Sequence, residues 1–284
     1  MTRWDDVSIE TLRAMRADGK SAKEISLRIG RSESAINMRL YSEGLTRDGQ
    51  RKSLKSRSSA LARESKISAT VAFMSRRSGY ALGYVLGVLC GDGFISHQKR
   101  GGVVLGLGVR SRAFAEKFCE CLEKLVPDGA RVRTFDYEYS PKDSIIRTPG
   151  REVLRKGAKY VSWNVTCCEP GVAKFFESLK ASFLGGQRLG QEETQGVLDG
   201  LFDSEGYFVR TTGTAGLGMT NLPLLRWLSG ELAIRGVQNK VYTDRNGYYS
   251  YVSIHRKDAV LKLCTLVRFS VEHREQFRLK IAEG

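Results

Sequence analysis

The sequence predicts an α+β protein: two similar halves, each ordered α-β-β-α-β-β-α, behind a small three-helix domain. Three observations carry this reading. A nonapeptide pattern occurs twice, at 85–93 (VLGVLCGDG) and at 198–206 (LDGLFDSEG). After each copy, hydrophobic periodicity passes through the same succession of period-two and helical stretches. The first 45 residues, by contrast, show only helical spacing broken by helix start and stop signals.

The chain has 284 residues, with 46 Lys and Arg against 31 Asp and Glu, for a formal charge of +15, and an isoelectric point near 9.7. That balance favours a polyanionic partner. Hydrophobic residues make up 41% and mean hydropathy is −0.30, enough apolar material for real cores, which excludes disorder throughout. No apolar run approaches the roughly 18 residues of a membrane helix. The acidic pair Asp5-Asp6 stands where an export signal is basic and then apolar, so a cytoplasmic, non-secreted protein is expected. The six cysteines lie in apolar segments without a CxxC pair or a His at ligand spacing. They read as reduced core thiols rather than zinc ligands or disulfides.

Ser8 is the expected N-cap of a first helix that places Ile9, Leu12 and Met15 on one face and stops at Gly19. Ser21 and Glu24 form a capping-box pair ahead of Ile25 and Ile29, with Gly30 as the stop. Ser32 caps a third helix whose Ala35, Ile36 and Leu40 face inward, leaving Arg31, Asn37 and Arg39 to face outward. Three short helices with a tight turn between the second and third describe a helix-turn-helix over residues 1–45. The stretch SAKEISLRIGRSESAINMRLYSEGL resembles the trihelical homeodomain-like modules of GcrA-type regulators. DNA contacts at Arg31, Asn37 and Arg39 are therefore expected, with a protein-docking unit as the alternative. Residues 46–78 read as a basic linker: Arg51, Lys52 and Lys55 belong to a serine-rich run of nine cations opposed only by Asp48 and Glu64. Beside a DNA-binding unit, such an arm suits phosphates better than it suits a passive tether.

The duplicated nonapeptides end two helices with a small residue at every fourth position, Gly83, Gly87 and Gly91 in one and Gly196, Gly200 and Ser204 in the other. That spacing stacks them on one helical face. Glycine in a helix costs about 1 kcal/mol relative to alanine, so a glycine ladder needs a reason, and close backbone packing of the two helices about a pseudo-twofold axis supplies it. In the first half (79–186) strands are expected at Phe94–His97, Val103–Val109, 131–139 and 159–167, with helices at 111–125 and 170–183. In the second half (187–284) strands are expected at 207–211, 215–220, 237–242 and 248–255, with Asn221 capping a helix to Ile234 and helices ending the chain.

If the ladder helices run parallel, Asp92 and Glu205 end them side by side. Two adjacent carboxylates at the negative ends of helix dipoles repel each other unless one takes a proton or a cation bridges them. A hard divalent ion resolves the conflict and, shared between two scissile phosphates, assists phosphodiester hydrolysis.

These two nonapeptides, each with an acid before its final glycine, 113 positions apart, resemble the LAGLIDADG motif. The chain is similar over residues 79–284 to single-chain, two-motif LAGLIDADG homing endonucleases. The resemblance implies saddle-shaped antiparallel sheets along a major groove and a site-specific double-strand DNA endonuclease acting as a monomer on a long, roughly pseudo-palindromic site. It also implies Mg²⁺ or Mn²⁺, with Ca²⁺ able to bind without supporting cleavage, held at Asp92 and Glu205 with Gly91 and Ser204 beside them. Asp92 and Glu205 are the implied catalytic acids. The basic residue that the family places nearby falls on Lys180 or Arg188 in the first half and on Arg268 or Arg274 in the second, with Lys180 and Arg268 preferred. Cys90 departs from the pattern, standing where Asp203 keeps an acid. Base readout from alternate strand residues points to Ser96, Gln98, Arg100, Arg131, Arg133 and Asn164 in the first half and to Arg210, Thr212, Asn239, Lys240, Arg245 and Tyr249 in the second. A free-standing or intron-encoded enzyme of a nucleoid, phage or organelle is expected rather than a protein-splicing element. An RNA maturase assisting intron splicing and a non-cleaving transcription regulator are the alternatives.

Overall fold

A computed structural model describes residues 4–45, 47–98, 102–139, 144–148, 151–155, 159–209, 211–244, 246–272 and 274–275. The fold is α+β, and the chain divides into two compact units, Met1–Lys66 and Ile67–Gly284.

In the first unit, α1 (Asp6–Ala17), α2 (Ala22–Ile29) and α3 (Glu33–Ser42) close on Leu12, Ile25, Ile36 and Leu40, with Trp4, Met15, Ala22, Ile29 and Leu45 around them. The capping box forms as expected: the Ser21 backbone N–H donates to Glu24 at 2.7 Å, and the Glu24 N–H donates to the Ser21 hydroxyl at 3.3 Å. Ser32 caps α3. The first helix differs, since it starts at Asp5, whose carboxylate accepts from the Ser8 N–H at 2.6 Å. Asp5 is charged and sits at the positive helix end, so it outcompetes the neutral Ser8.

The segment expected to be a linker is a helix, α4 (Arg47–Met74). Its charge obscured an apolar stripe at Ile67, Val71 and Met74, spaced for one helical face. Met74 is fully buried in the first-half core with Val71 beside it. Thr70 sits so close to Gly171 that a Cβ on that glycine would stand 2.7 Å from the threonine methyl. The second unit therefore begins at Ile67, inside the expected arm.

The second unit repeats one plan. In the first half, α5 (Tyr80–Cys90) leads into β1 (Phe94–His97), β2 (Val103–Val109), α6 (Arg112–Glu123), β3 (Val132–Tyr139), β6 (Tyr160–Cys167) and α7 (Pro170–Leu184). In the second half, α8 (Gln191–Glu205) leads into β7 (Gly206–Val209), β8 (Thr214–Met219), α9 (Leu222–Ile234), β9 (Lys240–Thr243), β10 (Ser250–Ile254) and α10 (Lys257–Leu266). The sheets have matching antiparallel orders, β1-β2-β6-β3 and β7-β8-β10-β9. A short hairpin, β4 (Ser144–Thr148) with β5 (Arg151–Arg155), is inserted between β3 and β6; no period-two signal in the sequence announced it.

β9 starts later than expected, as the Asn239 amide donates to the carbonyls of Ser229 and Val237 and residues 237–239 lie outside the ladder. β10 also starts later, because the Asp244 carboxylate takes the N–H groups of Tyr248 and Tyr249. Each half has its own core, one around Phe114, Phe118 and Phe176 and the other around Phe202, Leu225 and Leu228. Past α10, Phe269 returns to the second core while Val271 enters the first, so the C-terminal segment ties the halves together. Among the described residues no helix is long and apolar enough to cross a membrane.

Candidate active site at the ends of the motif helices

The glycine ladder does what its spacing implies. A Cβ on Gly87 would stand 2.5 Å from the Val197 carbonyl oxygen, one on Gly200 would stand 2.5 Å from that of Tyr84, and one on Gly91 would stand 2.5 Å from the Ser204 Cβ. The contacts climb together along both helices, so α5 and α8 are parallel and touch backbone to backbone. Two hydrogen bonds one turn apart hold this pairing: Tyr80 donates to Asp199 and Tyr84 to Asp203, each at 2.7 Å.

Asp199 and Asp203 also hold the C-terminal segment. Asp199 accepts from the Arg268 N–H at 3.2 Å and from the Gln195 amide at 2.8 Å; Asp203 accepts from the Ser270 N–H at 2.7 Å. Asp203 is thus structural, and Cys90 at the equivalent place leaves the first half without that tie. Burial pushes the fully buried Asp199 up to about 6, against the hydrogen bonds from Tyr80, Arg268 and Gln195 that pull it down. A carboxyl raised in the folded state contributes stability that is complete below its unfolded value, near 3.8, and that is lost as pH rises through about 6. Asn at this position can keep every partner, with its amide donating to Tyr80. Asp199→Asn is therefore expected to gain on the parent by about 2–3 kcal/mol between pH 4 and pH 7. Urea unfolding at a series of pH values checks this.

The parallel pairing brings Asp92 and Glu205 together. Glu205 is partly buried and Asp92 lies at the surface, and desolvation by the surrounding protein holds both carboxyls above the usual range. The charge of Asp92 raises Glu205 further, and Arg274 offsets both effects. Arg274 donates to the Phe202, Asp203 and Ser204 carbonyls, capping α8 where its dipole is negative. Lys180 does the same for α5 through the Leu89 carbonyl. Lys180 thus sits at the C-terminal end of α5, the helix that leads to Asp92. In the second half Arg274 occupies the equivalent place and Arg268 does not. The Arg268 backbone is tied to Asp199, and its side chain lines a surface hollow with Thr265 and Glu275.

Among the described residues no group of three or more His, Cys, Asp and Glu is disposed to hold a metal. Two carboxylates of raised pKa at adjacent helix ends nonetheless fit a hard cation that keeps several waters and takes phosphate oxygens.

The strand residues divide. Each inner strand carries Gly-Leu-Gly, Gly106-Leu107-Gly108 in β2 and Gly216-Leu217-Gly218 in β8, with the leucines buried and the glycines on the outward face. Asn164 lies on that face in β6, opposite Gly108. Arg133 in β3 and Lys240 in β9 are outward and exposed. Arg131 is exposed just ahead of β3. Gln98 closes the β1–β2 hairpin, its N–H donating to the Gly102 carbonyl at 2.7 Å. Thr212 sits in a turn, its hydroxyl bonded to that of Thr214 at 2.7 Å. Arg100, Arg210 and Arg245 lie outside the described residues.

In the first unit Asn37 is exposed on α3, but Arg39 pairs with Glu43 at 2.9 Å and, like Arg31, lies over the Trp4 ring. The exposed side of α3 is instead Ser34, Asn37, Met38 and Tyr41. Arg51, Lys52 and Lys55 fall on α4, and their side chains are outside the described residues. The sequence reading did not single out Tyr80, Tyr84 or Asp199, nor the glycine floor of the sheets, although the repeated Gly-Leu-Gly was a visible signal.

No family's sequence profile and no curated protein sequence matches the chain. Among solved structures, the chain resembles the homing endonuclease I-DmoI in complex with DNA and Mn, at 15% identity and a TM-score of 0.47 over 66% of this chain and 95% of that one. It also resembles the homing endonuclease I-WcaI bound to its DNA recognition sequence, at 15% identity and a TM-score of 0.45 over 69% and 84%. Full-length DUF199/WhiA from Thermatoga maritima matches at 12% identity and a TM-score of 0.43 over 75% and 64%. These likenesses concern the fold.

Proposed function

We propose that this chain is a site-specific, divalent-metal-dependent endonuclease that cuts both strands of DNA and acts as a monomer. The observation that carries the reading is the pairing of Asp92 with Glu205. Equivalent positions of two pseudo-symmetric halves deliver two carboxylates to one point, where their mutual repulsion is useless to the fold and useful to a cation. Asp92 and Glu205, with the main chain at Gly91 and Ser204, would hold Mg²⁺ or Mn²⁺. The ion would polarise the phosphoryl oxygen and lower the pKa of the attacking water. Lys180 and Arg274 fix the helix ends that carry the acids, and Arg274 adds positive charge next to both.

Around this point the two sheets present outward faces of the kind that reads a groove. Arg133, Asn164 and Lys240 stand on them at alternate strand positions. The charge of +15 favours the phosphate backbone, with affinity that falls steeply as salt rises. The three-helix unit and α4 add a second DNA contact, through Asn37 and its neighbours on α3.

Incubating the protein with a randomised duplex library and sequencing the ends tests this reading. Discrete double-strand breaks are expected with Mg²⁺, none with EDTA, and none from the Asp92→Asn, Glu205→Gln double mutant. Specific binding without cutting under Mg²⁺ or Mn²⁺ would overturn the endonuclease reading in favour of a regulator or an RNA-binding protein.

A further inference from the structure

Each motif acid leads directly into the first strand of its own sheet. Glu205 ends α8 immediately before Gly206, which pairs with Leu217, the neighbour of Gly218. Asp92 precedes β1 by two residues, and Phe94 of β1 pairs with Gly106, two residues from Gly108. Gly108 and Gly218 lie on the outward faces of the two sheets, and each is covered by one polar side chain. Over Gly108 lies Asn164, with Oδ1 2.8 Å from where a Cβ would sit; over Gly218 lies Tyr249, with Cζ at 2.7 Å and Cε1 at 3.0 Å. These glycines leave room for the covering groups.

The covering groups differ in chemistry. The Asn164 amide donates to the Ser162 carbonyl at 3.0 Å and to its hydroxyl at 3.3 Å, so what it shows toward Asp92 is an acceptor. Tyr249 shows a hydroxyl that can donate. Its backbone is fixed on both sides: its N–H donates to Asp244 at 3.1 Å, and its carbonyl accepts from the Asp244 N–H at 2.8 Å. The residue is 44% exposed, open to a substrate lying on the sheet. Burial, and after it the charge of Glu205, hold the phenol above its ordinary value, so it stays protonated and keeps its donor.

We propose that Tyr249 is a further catalytic residue of the Glu205 half-site, its hydroxyl donating a hydrogen bond to a non-bridging oxygen of the phosphate cut there, while Asn164, at the matching place of the Asp92 half-site, offers an acceptor instead. The inference rests on the endonuclease reading. It makes the active site chemically lopsided and assigns the faster cut to the strand at Glu205.

The experiment uses the duplex recovered from the cleavage selection, end-labelled on each strand in turn, under single-turnover conditions with saturating enzyme and Mg²⁺. Wild type is expected to cut one strand first. Tyr249→Phe keeps the ring on Gly218 and is expected to slow that strand's cut on the order of 10- to 100-fold, with less than a twofold change in the other and unchanged duplex affinity. Tyr248→Phe, on the exposed neighbour, is expected to leave both rates alone. Cutting by Tyr249→Phe at wild-type rates, or equal slowing of both strands with weakened binding, overturns the inference and leaves the endonuclease reading standing. Absence of cutting by wild type overturns that reading, and the role of Tyr249 with it.

Discussion

Glu205→Gln is expected to abolish double-strand cleavage while leaving the fold and DNA binding in place, and Asp92→Asn is expected to do the same. Both acids lie where helix C-termini already concentrate negative potential, and burial holds both above the usual range. Neutralising either one relieves repulsion inside the protein, so stability should hold or rise. A metal that contributes several kcal/mol to the transition state loses half of its carboxylate ligands, and at tenfold per 1.4 kcal/mol the rate should fall by about three orders of magnitude. Thermal unfolding, gel-shift affinity and single-turnover cleavage on one preparation separate these effects. A variant that cuts within tenfold of wild type would remove that carboxylate from the chemistry. A variant that no longer folds would show that the charge pair is structural.

Much of this site was legible because its geometry follows from periodicity. Glycine at every fourth position of two helices has one economical explanation, and the contacts of Gly87 with Val197 and of Gly200 with Tyr84 supply it. The acids at the ends of those helices follow directly. The strands were legible wherever apolar alternation decided them, as in β1 and β2. What the sequence hid were interactions between residues far apart in the chain. Choosing Arg274 over Arg268 depends on how the segment after α10 crosses the interface, and that path is fixed by Asp199 and Asp203, about 70 residues earlier in the chain. Tyr249 reaches the neighbourhood of Glu205 only because the Asp244 turn aims it over Gly218. α4 escaped notice because its charged residues and serines mask a short apolar stripe, although its last two turns are packed against α7. The N-cap of α1 was misplaced by three residues because two capping side chains competed and charge decided between them.

The same substitution at two helical glycines should have opposite signs. Gly230 lies within α9, and a Cβ there meets nothing within 4 Å. Gly230→Ala therefore gains helix propensity at no steric cost and is expected to stabilise the protein by about 0.5–1 kcal/mol. Gly200 lies on the α5–α8 seam, where a Cβ would stand 2.5 Å from the Tyr84 carbonyl oxygen and 2.9 Å from the Val88 nitrogen. Those are backbone atoms of a packed helix and cannot swing aside as a side-chain end can. Gly200→Ala gains the same propensity, but it must push the helices apart. Overpacking of this kind costs about 1–3 kcal/mol, and the separation also strains the Tyr80–Asp199 and Tyr84–Asp203 hydrogen bonds, each of which contributes about 1.5–3 kcal/mol if its acceptor is charged. A net loss of about 2–4 kcal/mol is expected, together with reduced cleavage, because Asp92 and Glu205 are set by the spacing of these two helices. Urea midpoints for the two variants provide the check. Equal and small effects at both positions would mean that the helices are not in backbone contact, and the pairing of the two acids would then need another cause.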